Sequence, residues 1–264
     1  MKMIRNLKSS SFIFLATLFF AGPIFSAEIH VITSGAFADA LKVLAPEYEK
    51  QSPNKVIISY GSSMGAAHDS IPSRLARDEK FDVLILAGPA LEGFIKSGAV
   101  QPGTRVDLVA SVIGAAVKAG APKPDISTVP ALKQALLNAK SVAYSASASG
   151  TYLSTELFPK LGIAEEMSKT AIKIYSERVG TAVARGDAEL GFQQVSELIS
   201  IPGIDFIGEI PPEVQKTVLF SAGITSNVNH LAASRDLIAY LASPKAAPTI
   251  QKAGLKPLLP SLPW

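Results

Sequence analysis

The sequence predicts an α/β chain organised as two similar lobes joined by two crossing strands. Three observations support this: a strand–helix alternation over residues 28 to 88, its return from residue 129 to 194, and two apolar stretches, 106 to 120 and 217 to 226, placed to carry the chain between the halves. The echo is architectural, with no fixed period of the kind that marks solenoid repeats.

The first element is a leader. Lys2, Arg5 and Lys8 precede the apolar run "FIFLATLFFAGPIF" and then "SAE", the pattern of a secretory signal peptide over residues 1–27 with cleavage at Ser26 or Ala27. The run is too short to span a bilayer comfortably and is broken by Gly22-Pro23. "EIHVITS" (28 to 34) then reads as a buried strand, and Leu41, Leu44 and Tyr48 fall at helical spacing within 36 to 52. "KVIISYG" (55 to 61) is the next strand, followed by a Ser/Gly turn, a helix through 71 to 77, and the β-branched run "FDVLILAG" (81 to 88). "VDLVASVIGAAVKAG" (106 to 120) is long for one strand and leads out of the first unit. Helix 129–138, strand 140–146, helix 151–161, strand 171–175, helix 178–186 and strand 188–194 follow. "TVLFSAGITS" (217 to 226) is the second crossing, then come helices near 230–242 and 244–253 and a Pro-rich tail. The chain thus divides into a leader at 1–27, a discontinuous first lobe at 28–109 plus 225–264, and a second lobe at 110–224. Two lobes on two strands can close by hinge motion over a small ligand.

Composition excludes several chemistries. The chain has 25 basic and 22 acidic residues; without Lys2, Arg5 and Lys8 the balance is 22 against 22, so no surplus charge points to nucleic acid or an anionic membrane. There is no cysteine, which removes disulfides, thiol nucleophiles and a lipid-modified N-terminal Cys. His30, His68 and His230 lie far apart with no HExxH, and no Gly-Lys-Ser/Thr follows the Gly-rich turn, so neither a metal site nor a P-loop is expected.

Polar turns recur where strands end. Thr33-Ser34-Gly35, Gly61-Ser62-Ser63-Met64-Gly65 and Ser147-Ala148-Ser149-Gly150 each precede a helix, and Gln193-Gln194-Val195-Ser196 closes a strand. Ligands in open α/β sheets lie beyond the C-terminal strand ends, and a helix N-terminus with neighbouring hydroxyls binds an anion without a formal positive charge. Arg178 sits at a strand-to-helix junction, where a guanidinium could clamp a carboxylate bidentately or pair with Glu177 or Asp187. Gly61 to Gly65 also satisfies GxSxG, which would make Ser63 a hydrolase nucleophile with Asp205 and His230 following in the required order. That reading lacks an HGGG-like oxyanion segment, whereas a clamp needs matching polar turns on opposite lobes, which this chain has.

The segments "VITSGAFADALKVLAPEYEKQSP", "VIISYGSSMGAA", "FDVLILAG", "SVAYSASASGTYLSTELFPKLGI", "VGTAVARGDAELGF" and "ASPKAAPTIQKAGLKP" resemble the periplasmic molybdate-binding proteins of ABC importers over most of the chain. The resemblance implies the periplasmic binding protein type II fold, two Rossmann-like lobes joined by two crossing strands. It also implies a ligand set without metal or cofactor. On that ligand set Ser63 matches the family serine, and Ala36 occupies the other serine position, with Thr33 and Ser34 as substitutes and Ser62 in the second turn. Ser149 matches the small residue of the second lobe, while Arg178 stands in place of an apolar backbone donor and Gln194 in place of a tyrosine. Arg and Gln there would enlarge and charge the pocket, favouring an organic carboxylate over a tetrahedral oxyanion. The expectation is a periplasmic, monomeric, non-enzymatic protein that captures a small anion, either a molybdate- or tungstate-like oxyanion or an organic carboxylate, and hands it to an inner-membrane ABC permease. A sensor subunit presenting the same trap to a membrane receptor is the alternative.

Overall fold

A computed structural model describes residues 26–264. The leader expected over 1–27 lies outside the described residues except for Ser26 and Ala27. The chain forms two mixed sheets. In the first, β1 (Glu28–Thr33) pairs parallel with β2 (Lys55–Tyr60) and β3 (Val83–Ala87). Helix α1 (Gly35–Glu49) links β1 to β2, and α2 (Ile71–Ala76) lies between β2 and β3. α2 starts on Ser70, whose Oγ accepts from the Ser73 N–H, with Pro72 in its first turn. Helix α3 (Gly88–Lys96) then leads to β4 (Val106–Ser111).

The second sheet begins one residue later, with β5 (Ile113–Lys118). It continues through α4 (Val129–Asn138), β6 (Val142–Ser145) and α5 (Ala148–Tyr152), which runs on through a π-helical turn at 153–157 into α6 (Phe158–Leu161). Next come α7 (Ala164–Thr170), β7 (Ala171–Ile174), α8 (Val179–Arg185), β8 (Leu190–Gln194), α9 (Val195–Leu198) and β9 (Ile204–Glu209). The chain then returns through β10 (Val218–Ile224), α10 (Leu231–Leu241), α11 (Ala247–Lys252) and β11 (Lys256–Pro257) to the first sheet. The strand orders are β11-β4-β10-β3-β1-β2 and β7-β6-β8-β5-β9.

The apolar stretch at 106 to 120 is therefore two strands in two sheets, parted at Val112, because the same β-branched pattern serves either sheet. The second crossing differs from the sequence reading as well. Residues up to 224 were placed in the second lobe, but β10 lies wholly in the first sheet, antiparallel to β3 and β4. The change of sheet falls in the connection 210–217. There the Gln215 side chain accepts from the Ile113 N–H (2.8 Å) and donates to the Ile113 carbonyl (2.9 Å), tying the two crossings together.

Both faces of the first sheet are covered. Phe37, Leu41, Leu44 and Tyr48 of α1 pack with Leu237, Ile238 and Leu241 of α10 over Ile29, Val31, Val83 and Ile85. Ile71 and Leu91 cover Ile32, Leu84 and Leu86 on the other face. Burial on both sides explains why β3 is apolar at every position rather than alternating. The second sheet has its own core of Leu132, Leu136, Leu153, Leu157 and Phe158 around Ile113, Val142 and Phe192.

A candidate active site between the two sheets

The C-terminal ends of β1 and β2 face those of β6, β7 and β8 across a cavity of about 420 Å³, within the range of roughly 300–1,000 Å³ common for small-molecule sites. Its lining includes all seven residues singled out from sequence: Ser34, Ala36, Ser62, Ser63, Ser149, Arg178 and Gln194. The sequence also missed several lining residues, among them Asp39, Lys42, Tyr60, Ser145, Tyr175 and Glu197.

Ser34 ends β1, where its N–H is held by the Ile85 carbonyl at 2.8 Å. Its extended backbone starts α1, and the N–H groups of Gly35 and Ala36 in the first turn have no helical acceptor. Ser34 is 2% exposed, and its Oγ has no hydrogen-bond partner among the described residues. Ser63 is pinned differently, its Oγ accepting the Ala87 N–H at 3.0 Å, and Ser62 Oγ donates to the Met64 carbonyl. Neither His68 nor His230 lines the cavity, so Ser63 has no imidazole base there and the GxSxG pattern marks a turn. On the opposite side Ser149 shares a hydrogen bond with Ser145 (3.1 Å), and the start of α5 packs so tightly on β6 that a Cβ at Gly150 would strike the Ser145 carbonyl.

Gln193 and Gln194 divide their duties. The Gln193 Oε1 accepts the Val179 N–H at 2.8 Å and its Nε2 donates to Glu197 Oε1 at 2.9 Å. Gln194 is 1% exposed, and both its amide nitrogen and oxygen lack partners among the described residues. Buried polar groups are nearly always paired, and Ser34 and Gln194 leave such atoms unpaired at this cavity among the described residues.

Arg178 forms neither of the ion pairs weighed from sequence. Arg185 takes Glu177 and Asp187. The Arg178 guanidinium instead reaches across to Asp39 of α1, with bonds of 2.9 and 3.0 Å, and donates to Ser200 Oγ, which itself donates to Asp39. Burial works against the Asp39 charge, but the bonds from Arg178 and Ser200 outweigh it and hold its pKa below the ordinary value.

Glu197, on α9, is the group with the most altered chemistry. It keeps a small opening to the cavity but is densely enclosed, and loss of hydration pushes its pKa up to about 7. Arg178 and the Gln193 bond pull the pKa down, and Asp39 adds to the rise. A carboxyl with a pKa near neutrality, in a cavity, has the properties of a general base. Its only sequence signal is its place one residue beyond the Gln193–Ser196 turn. Among the described residues there is no His/Asp/Glu group fit to hold a metal.

The model for the bacterial extracellular solute-binding proteins matches residues 29–256. The chain belongs to that family. The molybdate-binding protein ModA of Azotobacter vinelandii is 25% identical over 237 residues, covering 87% of this chain and 90% of the relative. The solved structure of the periplasmic molybdate-binding protein of the same organism superposes with a TM-score of 0.70 at 22% identity, covering 88% of this chain and all of that one. The fold is thus the two-lobed type II periplasmic binding protein fold, as the sequence resemblance implied. A third family relative requires a correction. An aconitate isomerase of a Pseudomonas species is 46% identical over 247 residues, covering 92% of this chain and 94% of the relative. The expectation of a protein without enzymatic activity is overturned by this relative, which is named for an enzyme. Among the described residues no helix is long and apolar enough to cross a membrane.

Proposed function

We propose that the protein is an organic-acid isomerase built on a solute-binding fold. It takes an unsaturated tricarboxylate of the aconitate type into the cavity and moves a proton between its allylic carbons, with Glu197 as the base. The observation that carries this reading is the Glu197 carboxyl, with its pKa near 7, in the same cavity as the unpartnered Ser34 hydroxyl and Gln194 amide. The aconitate isomerase relative supplies the substrate class.

Aconitate is propene-1,2,3-tricarboxylate, whose methylene protons are acidified by the adjoining double bond and carboxyl. Glu197 removes one of these protons, and the electron pair spreads over the allyl unit onto carboxylate oxygen. The proton returns to the other allylic carbon, so the double bond has moved and no atom is gained or lost. The conformation in which the cavity holds the single bond to the methylene carbon as the proton leaves sets the cis or trans outcome. The charge that builds on carboxylate oxygen is stabilised by the free N–H groups of Gly35 and Ala36 and the hydroxyls of Ser34 and Ser149, donors already fixed in place before reaction. Arg178, engaged by Asp39, holds the two lobes together over the substrate and supplies field rather than direct contact.

A second reading, delivery of the same anion to a membrane permease after export by the leader at 1–27, is favoured by the family and by the molybdate-binding relative. Conversion decides between them. Purified protein given trans-aconitate should release cis-aconitate, and Glu197→Gln should not; failure of the wild type to convert either isomer removes the isomerase reading.

A further inference from the structure

We infer that Gly35 is a positioning residue, the seat on the first lobe into which the Glu197 carboxylate of the second lobe fits, so that the base is assembled only where the two lobes meet. This deepens the isomerase reading and rests on it for the role of Glu197. A Cβ built on Gly35 would fall on Glu197 Oε1 and lie 2.9 Å from its Cδ. The Gly35 backbone is helical and has no positive φ, so the chain itself would accept alanine there. Only the carboxylate stands in the way. Glycine at the first position of α1 is otherwise a poor choice, being less favourable than alanine in a helix. The missing side chain leaves room for Glu197 at the first turn of α1.

The fit is made between the two sheets. Glu197 follows β8 on α9, which the Val195 N–H bonds to the Val112 carbonyl at the crossing between sheets, while Gly35 follows β1. Gln193 fixes the other side of the carboxylate at 2.9 Å. Arg178 and Asp39 act on it directly, and Lys42, Tyr60, Asp69, Tyr175 and Glu177 are the other titratable groups lining the cavity. A Glu197 driven from this seat changes both its place and its hydration.

Two experiments test the inference. Thermal unfolding of Gly35→Ala, Glu197→Ala and the double variant reads the seat without any activity. At pH 4, where the folded chain keeps Glu197 protonated, Gly35→Ala should lower Tm in the wild-type background and leave it equal or higher in the Glu197→Ala background; an equal loss in both, or a double variant that does not fold, overturns the inference. In isomerisation assays Gly35→Ala should lose roughly a hundredfold in kcat, the scale of a reacting group misplaced by about 1 Å. The midpoint of its kcat–pH profile should fall from near 7 toward the ordinary 4.5, and adding Glu197→Asp, one methylene shorter, should restore part of the rate. Wild-type kcat and midpoint in Gly35→Ala overturn the seat even if Glu197→Gln is inactive, whereas an active Glu197→Gln overturns the base itself.

Discussion

Replacing Glu197 by glutamine removes a group whose proton the folded cavity retains. The unfolded chain gives that proton up near the ordinary 4.5, and the native state keeps it until about pH 7. In this interval the native state binds more protons than the unfolded state, so stability falls as pH rises. The contribution is fully present below pH 4.5 and is lost as pH climbs through 7. The two values convert to about 3 kcal/mol. Glutamine keeps a nearly constant shape and has no charge to lose hydration, so Glu197→Gln should gain about 3 kcal/mol on the wild type between pH 4 and pH 8. Urea unfolding of both proteins at pH 4, 6 and 8 measures it. Parallel stability profiles across that range would refute the enclosure of Glu197 and the chemistry built on it.

Arg178→Ala and Asp39→Asn break the same ion pair across the lobes but should move the midpoint of the kcat–pH profile in opposite directions. Arg178 lowers the Glu197 pKa and Asp39 raises it, so the first variant shifts the profile upward and the second downward; shifts of the same sign would point to a purely structural pair. Ser34→Ala removes a buried hydroxyl that the free protein leaves unpaired. It should stabilise the free protein by up to about 1 kcal/mol while weakening carboxylate binding about tenfold, as unfolding and calorimetry would show. Aconitate at a hundredfold excess over its Kd should stabilise the wild type by about 2.7 kcal/mol in thermal shift, and molybdate should do less.

Local chemistry was legible and distant chemistry was not. Strands β1, β2, β3 and β6 could be read because β-branched runs end in Ser/Gly turns, and those turns placed Ser34, Ser63 and Ser149 on one cavity. The helix at 88–96 was hidden because Gly88-Pro89 reads as a strand cap, although Pro89 is well suited to a helix first turn. β9 escaped because as an edge strand it is only partly buried and shows little alternation. Membership of β10 in the first sheet could not be read because the strand's apolar pattern carries no information about its partners. Glu197 is one of 22 acidic residues, and what sets it apart is its contact with Gly35, far away in the chain. The ion pair of Arg178 with Asp39 is equally non-local, and with it went the signal that proton chemistry was possible here. Family resemblance pointed toward capture of an anion, and the burial of one carboxyl points beyond it.

In the proposed reaction Glu197 carries a proton between two carbons of an unsaturated carboxylate. Wild-type protein and Glu197→Gln incubated with trans-aconitate in D₂O, followed by proton NMR, test it most directly. The wild type should form cis-aconitate, with deuterium entering the new methylene carbon to the extent that the proton held on Glu197 exchanges with solvent before it is returned, and the variant should form none. An unchanged substrate with the wild type, or isomerisation at an equal rate by Glu197→Gln, would contradict it.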